Sequence, residues 1–329
     1  MTKLLSLTAC LIVAFTSVAE ARVHAFSWDS STGMIDLGSL GGDSIANGIN
    51  DSGQIVGFSY LADQSTIHMA MWTTTGGIVD LGSIDNSANS EATALNSAGD
   101  IVGQGYDANG EYVAFFWSSS TGYVSLGELP QNGFANGNDI NDSDIIAGSG
   151  FGFQSQGFVW RPTFLRPRYI GTLPGGATSE ALGINNHGHI TGTAALPSGA
   201  LDAFIWTKTG GMRDIGTVQE GRSTIGFAIN DRDEVVGFTN GIELPFYWSD
   251  ATGMRLLRSL GGQGTEVFGI NNSGAIAGSS QTPANFFHAT LWSSYLAPPQ
   301  DLGTLPGGST SVAKGINSSG QAVGWADLP

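Results

Sequence analysis

The chain has 329 residues, 49 of them Gly, and only 12% are charged, against typical values of ~7% Gly and ~25% charged. With 41% hydrophobic residues it can bury a core, which excludes disorder. Gly at this level excludes a helical bundle, because each Gly inside a helix costs roughly 1 kcal/mol relative to Ala. The formal net charge of −16 argues against nucleic acid and anionic membrane surfaces as partners.

Residues 1–21 read as a secretory leader. Lys3 gives a positive start, Leu4 to Ala14 a short apolar run, and Ala19-Glu20-Ala21 a small-x-small cleavage site. The run is shorter than the ~20 residues of a transmembrane span, so no membrane span is expected. The single cysteine, Cys10, lies inside this leader. Leu7-Thr8-Ala9-Cys10 resembles a lipoprotein box, but Leu11 to Phe15 would then trail the anchor as exposed apolar chain, so cleavage after Ala21 is the expectation. The exported chain then has no disulfide and is expected in the periplasm or the extracellular medium.

Repeats fill the remainder. An aromatic pentad recurs as His24 to Trp28 (HAFSW), His68 to Trp72 (HMAMW), Val113 to Trp117 (VAFFW) and Gln156 to Trp160 (QGFVW). It continues at Asp202 to Trp206, Leu244 to Trp248 and His288 to Trp292. Successive tryptophans are 42 to 46 residues apart. A second block ending in Asn keeps the same period at Asn50, Asn96, Asn141, Asn185, Asn230, Asn271 and Asn317. Residues 22–329 hold seven units of 44 residues, so a single repeat domain is expected there.

Each unit reads as four short strands. In the first unit these are His24 to Trp28, Met34 to Leu37, Ile45 to Asn50 and Gln54 to Phe58. Phe26 and Trp28, two apart, share a face. Asn50-Asp51-Ser52-Gly53 is a tight turn whose fourth residue needs a left-handed conformation; Gly stands there in five units and Asp144 and Asp233 in two. Four strands per ~44 residues is the arithmetic of a propeller blade. The predicted fold is all-β, a seven-bladed β-propeller. The strand carrying small residues (Ala46, Gly48, Ala181, Gly183) is expected nearest the axis, and the aromatic strands farther out. The loop Gly38 to Asp43 is then the crossover between blades. His24 to Leu37 would complete the blade whose inner strands lie in Val312 to Trp325.

The units resemble the HAF family of probable extracellular repeats, through HAFxW at His24 to Trp28, DLGxLGG at Asp36 to Gly42 and A-x-G-I-N at Ala46 to Asn50. His gives way at Val113, Gln156, Asp202 and Leu244, and Phe at Ala70 and Thr290. The resemblance implies export from a bacterium and attaches no general activity.

Several local patterns resemble chemistry. Gly42-Asp43-Ser44 looks like an esterase nucleophile motif, but it sits in the repeated loop, in the slot of Gly176-Ala177-Thr178 and Gly308-Ser309-Thr310, with no paired base. His24, His68 and His288 share one strand position and read as structural. His187 and His189 have ligand-like spacing, yet two ligands make no zinc site. Asp107 to Glu111 echoes a calcium loop but is too short; Asn109-Gly110 reads as a two-residue hairpin turn. Asn-x-Ser at Asn50, Asn141, Asn271 and Asn317 is the turn asparagine rather than a glycosylation signal. The repeat tryptophans read as core between blades rather than a sugar-stacking surface, and Trp325 falls outside their register. No catalytic, metal or cofactor residue is expected.

The reading that follows is a secreted, non-enzymatic binding or structural module, monomeric, with a glycan or protein as its ligand. The alternative is an extracellular hydrolase with a site on loops at one end of the channel, carried by variable segments such as Gln154 to Pro167.

Overall fold

The computed structural model describes residues 22–329 apart from 75–76, 87–88, 127–128, 130–132, 153–154, 165, 219–221, 240 and 242–243. The expected leader, its cleavage site and Cys10 lie outside the described residues.

Seven four-stranded antiparallel sheets form a seven-bladed β-propeller. Blades 1 to 7 are numbered by their innermost strands: Gly41–Ile49, Ser90–Leu95, Phe134–Ile140, Ser179–Ile184, Thr224–Ile229, Thr265–Ile270 and Ser311–Ile316. The expected small-residue strand is the innermost one. It opens at Gly41 in blade 1, so the crossover from Gly38 is shorter there than the sequence suggested. Blade 7 runs, from the axis outward, Ser311–Ile316, Ala322–Asp327, Val23–Asp29 and Gly33–Gly38. Phe26 pairs with Gly324 and Trp28 with Ala322. The two ends of the sequence thus complete one sheet, which pairs the edges that an open ring would expose.

The inner hairpin has one design in every blade. Its first strand carries a β-bulge at the same place, between Ala46 and Gly48 in blade 1 and between Ala313 and Gly315 in blade 7. The second strand carries a Gly opposite it, such as Gly57, Gly192 or Gly324. A Cβ on any of these three would collide with a carbonyl oxygen of the innermost strand, that of Ile45, Glu180 or Val312. The bulge and this close approach together bend the inner hairpin around the axis.

Aromatic residues of the third strands fill the space between sheets. Phe26 and Trp28 of blade 7 pack with Ala277, Leu291 and Leu302 of blade 6; Phe158 and Trp160 of blade 3 pack with Val102, Ala114 and Phe116 of blade 2. Trp72, Trp160 and Trp292 are almost wholly buried, as core residues should be, while Trp117 and Trp206 are half-buried.

Candidate functional site at the axis

Most recurrent polar groups are engaged by the fold. The seven turn asparagines are buried, and the side-chain amide of each reaches the next one's backbone carbonyl. Asn141 Nδ2 donates to Asn185 O at 3.0 Å, Asn185 to Asn230 at 2.9 Å and Asn271 to Asn317 at 2.9 Å. Each Oδ1 meanwhile accepts backbone N–H groups of its own turn, those of His187 and His189 in the case of Asn185. The fourth turn residue has positive φ in all seven blades, including 55° at Asp144 and 58° at Asp233.

Ser44 is a stitch, not a nucleophile. Its hydroxyl accepts the Ala25 N–H at 2.9 Å and donates to Gly38 O at 2.8 Å. Ser179 and Ser311 do the same in blades 4 and 7. The structural equivalents of Ser44 are therefore these serines, one residue past Thr178 and Thr310, because the blade 1 crossover is two residues shorter, one of them lost after the Gly-Gly pair. Asp107 behaves like a turn asparagine. Its carboxylate accepts the N–H groups of Asn109 and Glu111, and Gly110 has φ 78° while Asn109 is not left-handed. The two-residue turn expected at Asn109-Gly110 is thus a longer, side-chain-capped one.

His24, His68 and His288 each place Nδ1 2.9 Å from a carboxylate on the neighbouring outermost strand, that of Asp36, Asp80 or Asp301. The equivalent pairs are Val113/Ser125 in blade 2, Gln156/Tyr169 in blade 3 and Leu244/Leu256 in blade 5, where His and Asp are both absent. In blade 4 the pair is Asp202/Asp214; burial, and then the Asp214 charge, push the Asp202 carboxyl above its ordinary value. His187 and His189 have ring centroids 5.9 Å apart. His189 Nδ1 lies 2.8 Å from Asp233 of the next blade, a partner that sequence distance conceals. No group of three or more possible metal ligands occurs among the described residues.

Where the blades differ is around the axis. The bulged residue, three before each turn asparagine, is Asn47, Thr93 and Asn138 in blades 1 to 3. There it donates to the next blade, as Asn47 does to Ala92 O at 2.8 Å and Thr93 to Gly137 O at 2.6 Å. In blades 4 to 6 it is Leu182, Phe227 and Phe268, and in blade 7 Lys314. Phe227 and Phe268 meet edge to face at 5.4 Å, and the Lys314 ammonium sits 4.3 Å from the Phe268 ring centroid. One arc of this layer is polar and the other apolar.

Two residues earlier lies a second layer, formed by cross-strand pairs whose side chains share a face. Apolar pairs are Ile45/Phe58, Ile225/Phe238 and Val312/Trp325. Trp325 therefore occupies a repeat slot after all, on the second strand rather than the third. Polar pairs are Glu91/Gln104, Glu180/Thr193 and Glu266/Ser279. Gln104 Nε2 donates to Glu91 Oε1 at 2.6 Å, and the Tyr112 hydroxyl also hydrogen-bonds that carboxyl. Burial raises the Glu91 carboxyl above its ordinary value, partly offset by these bonds and by the Lys314 charge. Lys314 stands two blades away around the ring, so its field reaches Glu91 across the axis. Gln104 Oε1 and Ser279 Oγ are buried without a hydrogen-bond partner.

In the bulge of blade 3, Asp139 takes a slot that is Gly or Ala in the other blades. Its carboxylate accepts the N–H of Ile184 at 2.8 Å and of Ile140 at 2.9 Å. Burial nevertheless pushes its pKa up to about 7.

Apart from Trp325, none of these axial residues stands out in the sequence. The signal available was variation at one slot of an otherwise uniform repeat. Among the described residues no helix is long and apolar enough to cross a membrane.

No family model matches the chain, and no curated protein matches it. Solved propellers do. The propeller domain of the Trilobed protease from Pyrococcus furiosus is 10% identical with a TM-score of 0.56, and the match covers 82% of each chain. A putative TolB from Agrobacterium tumefaciens is 10% identical with a TM-score of 0.55, over 94% of this chain and 99% of that one. A prolyl endopeptidase is 9% identical with a TM-score of 0.61, over 86% of this chain but only 46% of that one. At these identities the likeness is one of fold alone, and the chain is similar to β-propellers of diverse activity.

Proposed function

We propose that the protein is an exported, non-enzymatic propeller of the HAF type that serves as a binding module, with its ligand site at the axis. The observation that carries this reading is the fate of its polar side chains. The turn asparagines and the crossover serines are engaged in holding neighbouring blades together and the His–Asp pairs in tying the two outer strands of a blade, and they recur because the fold recurs. The axial layers instead vary from blade to blade, and a ring of near-identical units acquires a distinctive surface only through such variation. Export rests on the leader expected in residues 1–21, and a glycan or protein ligand on that destination.

The test is to incubate the purified protein with generic ester, glycoside and peptide substrates, and in parallel to probe glycan and cell-wall arrays. Array binding without turnover is the expected result. Turnover abolished by one substitution at an acidic or His residue would overturn the reading in favour of a hydrolase.

A further inference from the structure

We propose that the axial mouth of blade 2, at Glu91 and Gln104, binds a primary ammonium group. This rests on the binding-module reading and names the chemistry of its ligand.

The arrangement follows from strand register. Glu91 pairs with Gln104, Gln104 with Ala114, and Tyr106 with Tyr112. Residues two apart on a strand share a face, so Glu91, Gln104, Tyr106 and Tyr112 lie on one side of the sheet. Tyr106 is 43% exposed and meets Tyr112 edge to face at 5.0 Å. These rings thus lead from the surface inward to the carboxyl of Glu91. Phe134, 57% exposed, opens the innermost strand of blade 3 at the same end of the ring.

The polar groups beyond these rings are acceptors. Glu91 offers carboxylate oxygens. Gln104 is 7% exposed and gives its amide N–H to Glu91, which leaves its buried Oε1 without a donor. A buried acceptor with no partner is unfavourable, and a ligand with several N–H donors would satisfy it. An ammonium brings three donors and a positive charge. The charge is matched by the surroundings: residues 23–160 contain 15 Asp or Glu and no Lys or Arg. Aromatic faces along the entry favour a cation over a neutral polyol. The axis already accommodates one ammonium, that of Lys314, against the Phe268 ring and within reach of the Glu91 charge.

Two sources carry this group, an amino sugar and a lysine side chain. Calorimetric titration of the purified protein with glucosamine and with Nα-acetyl-lysine amide separates them, with N-acetylglucosamine and Nα,Nε-diacetyl-lysine amide as uncharged controls. One of the two amines should bind at a single site, its acetylated counterpart should not, and Glu91→Gln should weaken binding at least tenfold. Should E91Q fail to fold, Gln104→Met provides the same comparison. The proposal is overturned if neither amine binds, if an acetylated control binds equally well, or if both substitutions leave affinity unchanged. Each of these outcomes leaves the binding-module reading standing, because turnover in the substrate screen is what overturns that.

Discussion

The side-chain amide of Asn317 donates to the backbone carbonyl of Asn50 at 3.3 Å, across 267 residues of sequence. It is the last link in a ring of seven such bonds, and the backbone N–H of Ser318 reinforces it on Asp51 Oδ1 at 2.8 Å. Blade 7 meets blade 1 through the same contact that joins the other neighbours. Closure is therefore built into the repeat as well as into the shared sheet.

Asn185 tests the ring. It donates to Asn230 O and to Asp233 Oδ1, and it accepts two N–H groups of its own turn. Asn185→Ala takes the acceptor from the His187 and His189 N–H groups and breaks the link to Asn230, whose carbonyl keeps only the Asp233 N–H; it should cost on the order of 2 kcal/mol. Asn186→Ala, at the exposed neighbouring position, should cost well under ~1 kcal/mol. Urea unfolding of both variants makes the comparison; equal midpoints would mean that the asparagine ring contributes little.

The fold was legible because its determinants are local and repeated seven times. Tryptophan spacing, the Asn-x-x-Gly turns and the small residues of one strand each report a single blade, and together they set the number of blades. The candidate site was less legible because it depends on register between strands and on proximity between blades. Glu91 and Gln104 are 13 residues apart and meet through the bulge register; Lys314 influences Glu91 across the axis. Likewise, the partner of His189 is Asp233, 44 residues on. Trp325 looked anomalous only because it was compared with third-strand tryptophans; cross-strand pairing puts it in the slot of Phe58 and Phe238.

Asp139 should make stability depend on pH. Burial pushes its carboxyl up to about 7 in the folded chain, against about 4 for an exposed Asp. Between these values the unfolded state has released the proton and the folded state still holds it, so stability falls as pH rises from about 4 to about 7. Full ionisation costs up to about 4 kcal/mol, from roughly 1.4 kcal/mol per pKa unit. Asp139→Asn removes that slope, so its stability relative to wild type should increase between pH 4.5 and pH 8. Denaturant unfolding at the two pH values checks this, and parallel wild-type and variant curves would contradict it.

Asp202 faces Asp214 where three other blades pair His with Asp. Asp202→His should recreate the arrangement of His24 with Asp36 and remove a like-charge contact. A gain of roughly 0.5–1 kcal/mol at neutral pH is expected, read as a higher thermal midpoint. A lower midpoint would show that the outer-strand pairs do not support the blade.

Trp160 is 2% exposed and donates its indole N–H to Phe164 O at 3.2 Å. Trp160→Ala should cost roughly 3–5 kcal/mol as a large-to-small change in core between blades. A stable variant that had lost ligand binding would instead make this tryptophan part of a recognition surface.

Seven units act as one ring closed by the first two and last two described strands, and hydrogen exchange on a shortened chain tests this most directly. Deleting residues 22–38 removes the third and fourth strands of blade 7 and bares the edge of Ala322–Asp327, which pairs with Val23 to Trp28 in the intact ring. The account predicts that amide protection at Ala322 to Gly324 collapses. Unchanged protection there, with loosening confined to residues 41–61, would contradict the closed ring and point to repeats stacked in a line.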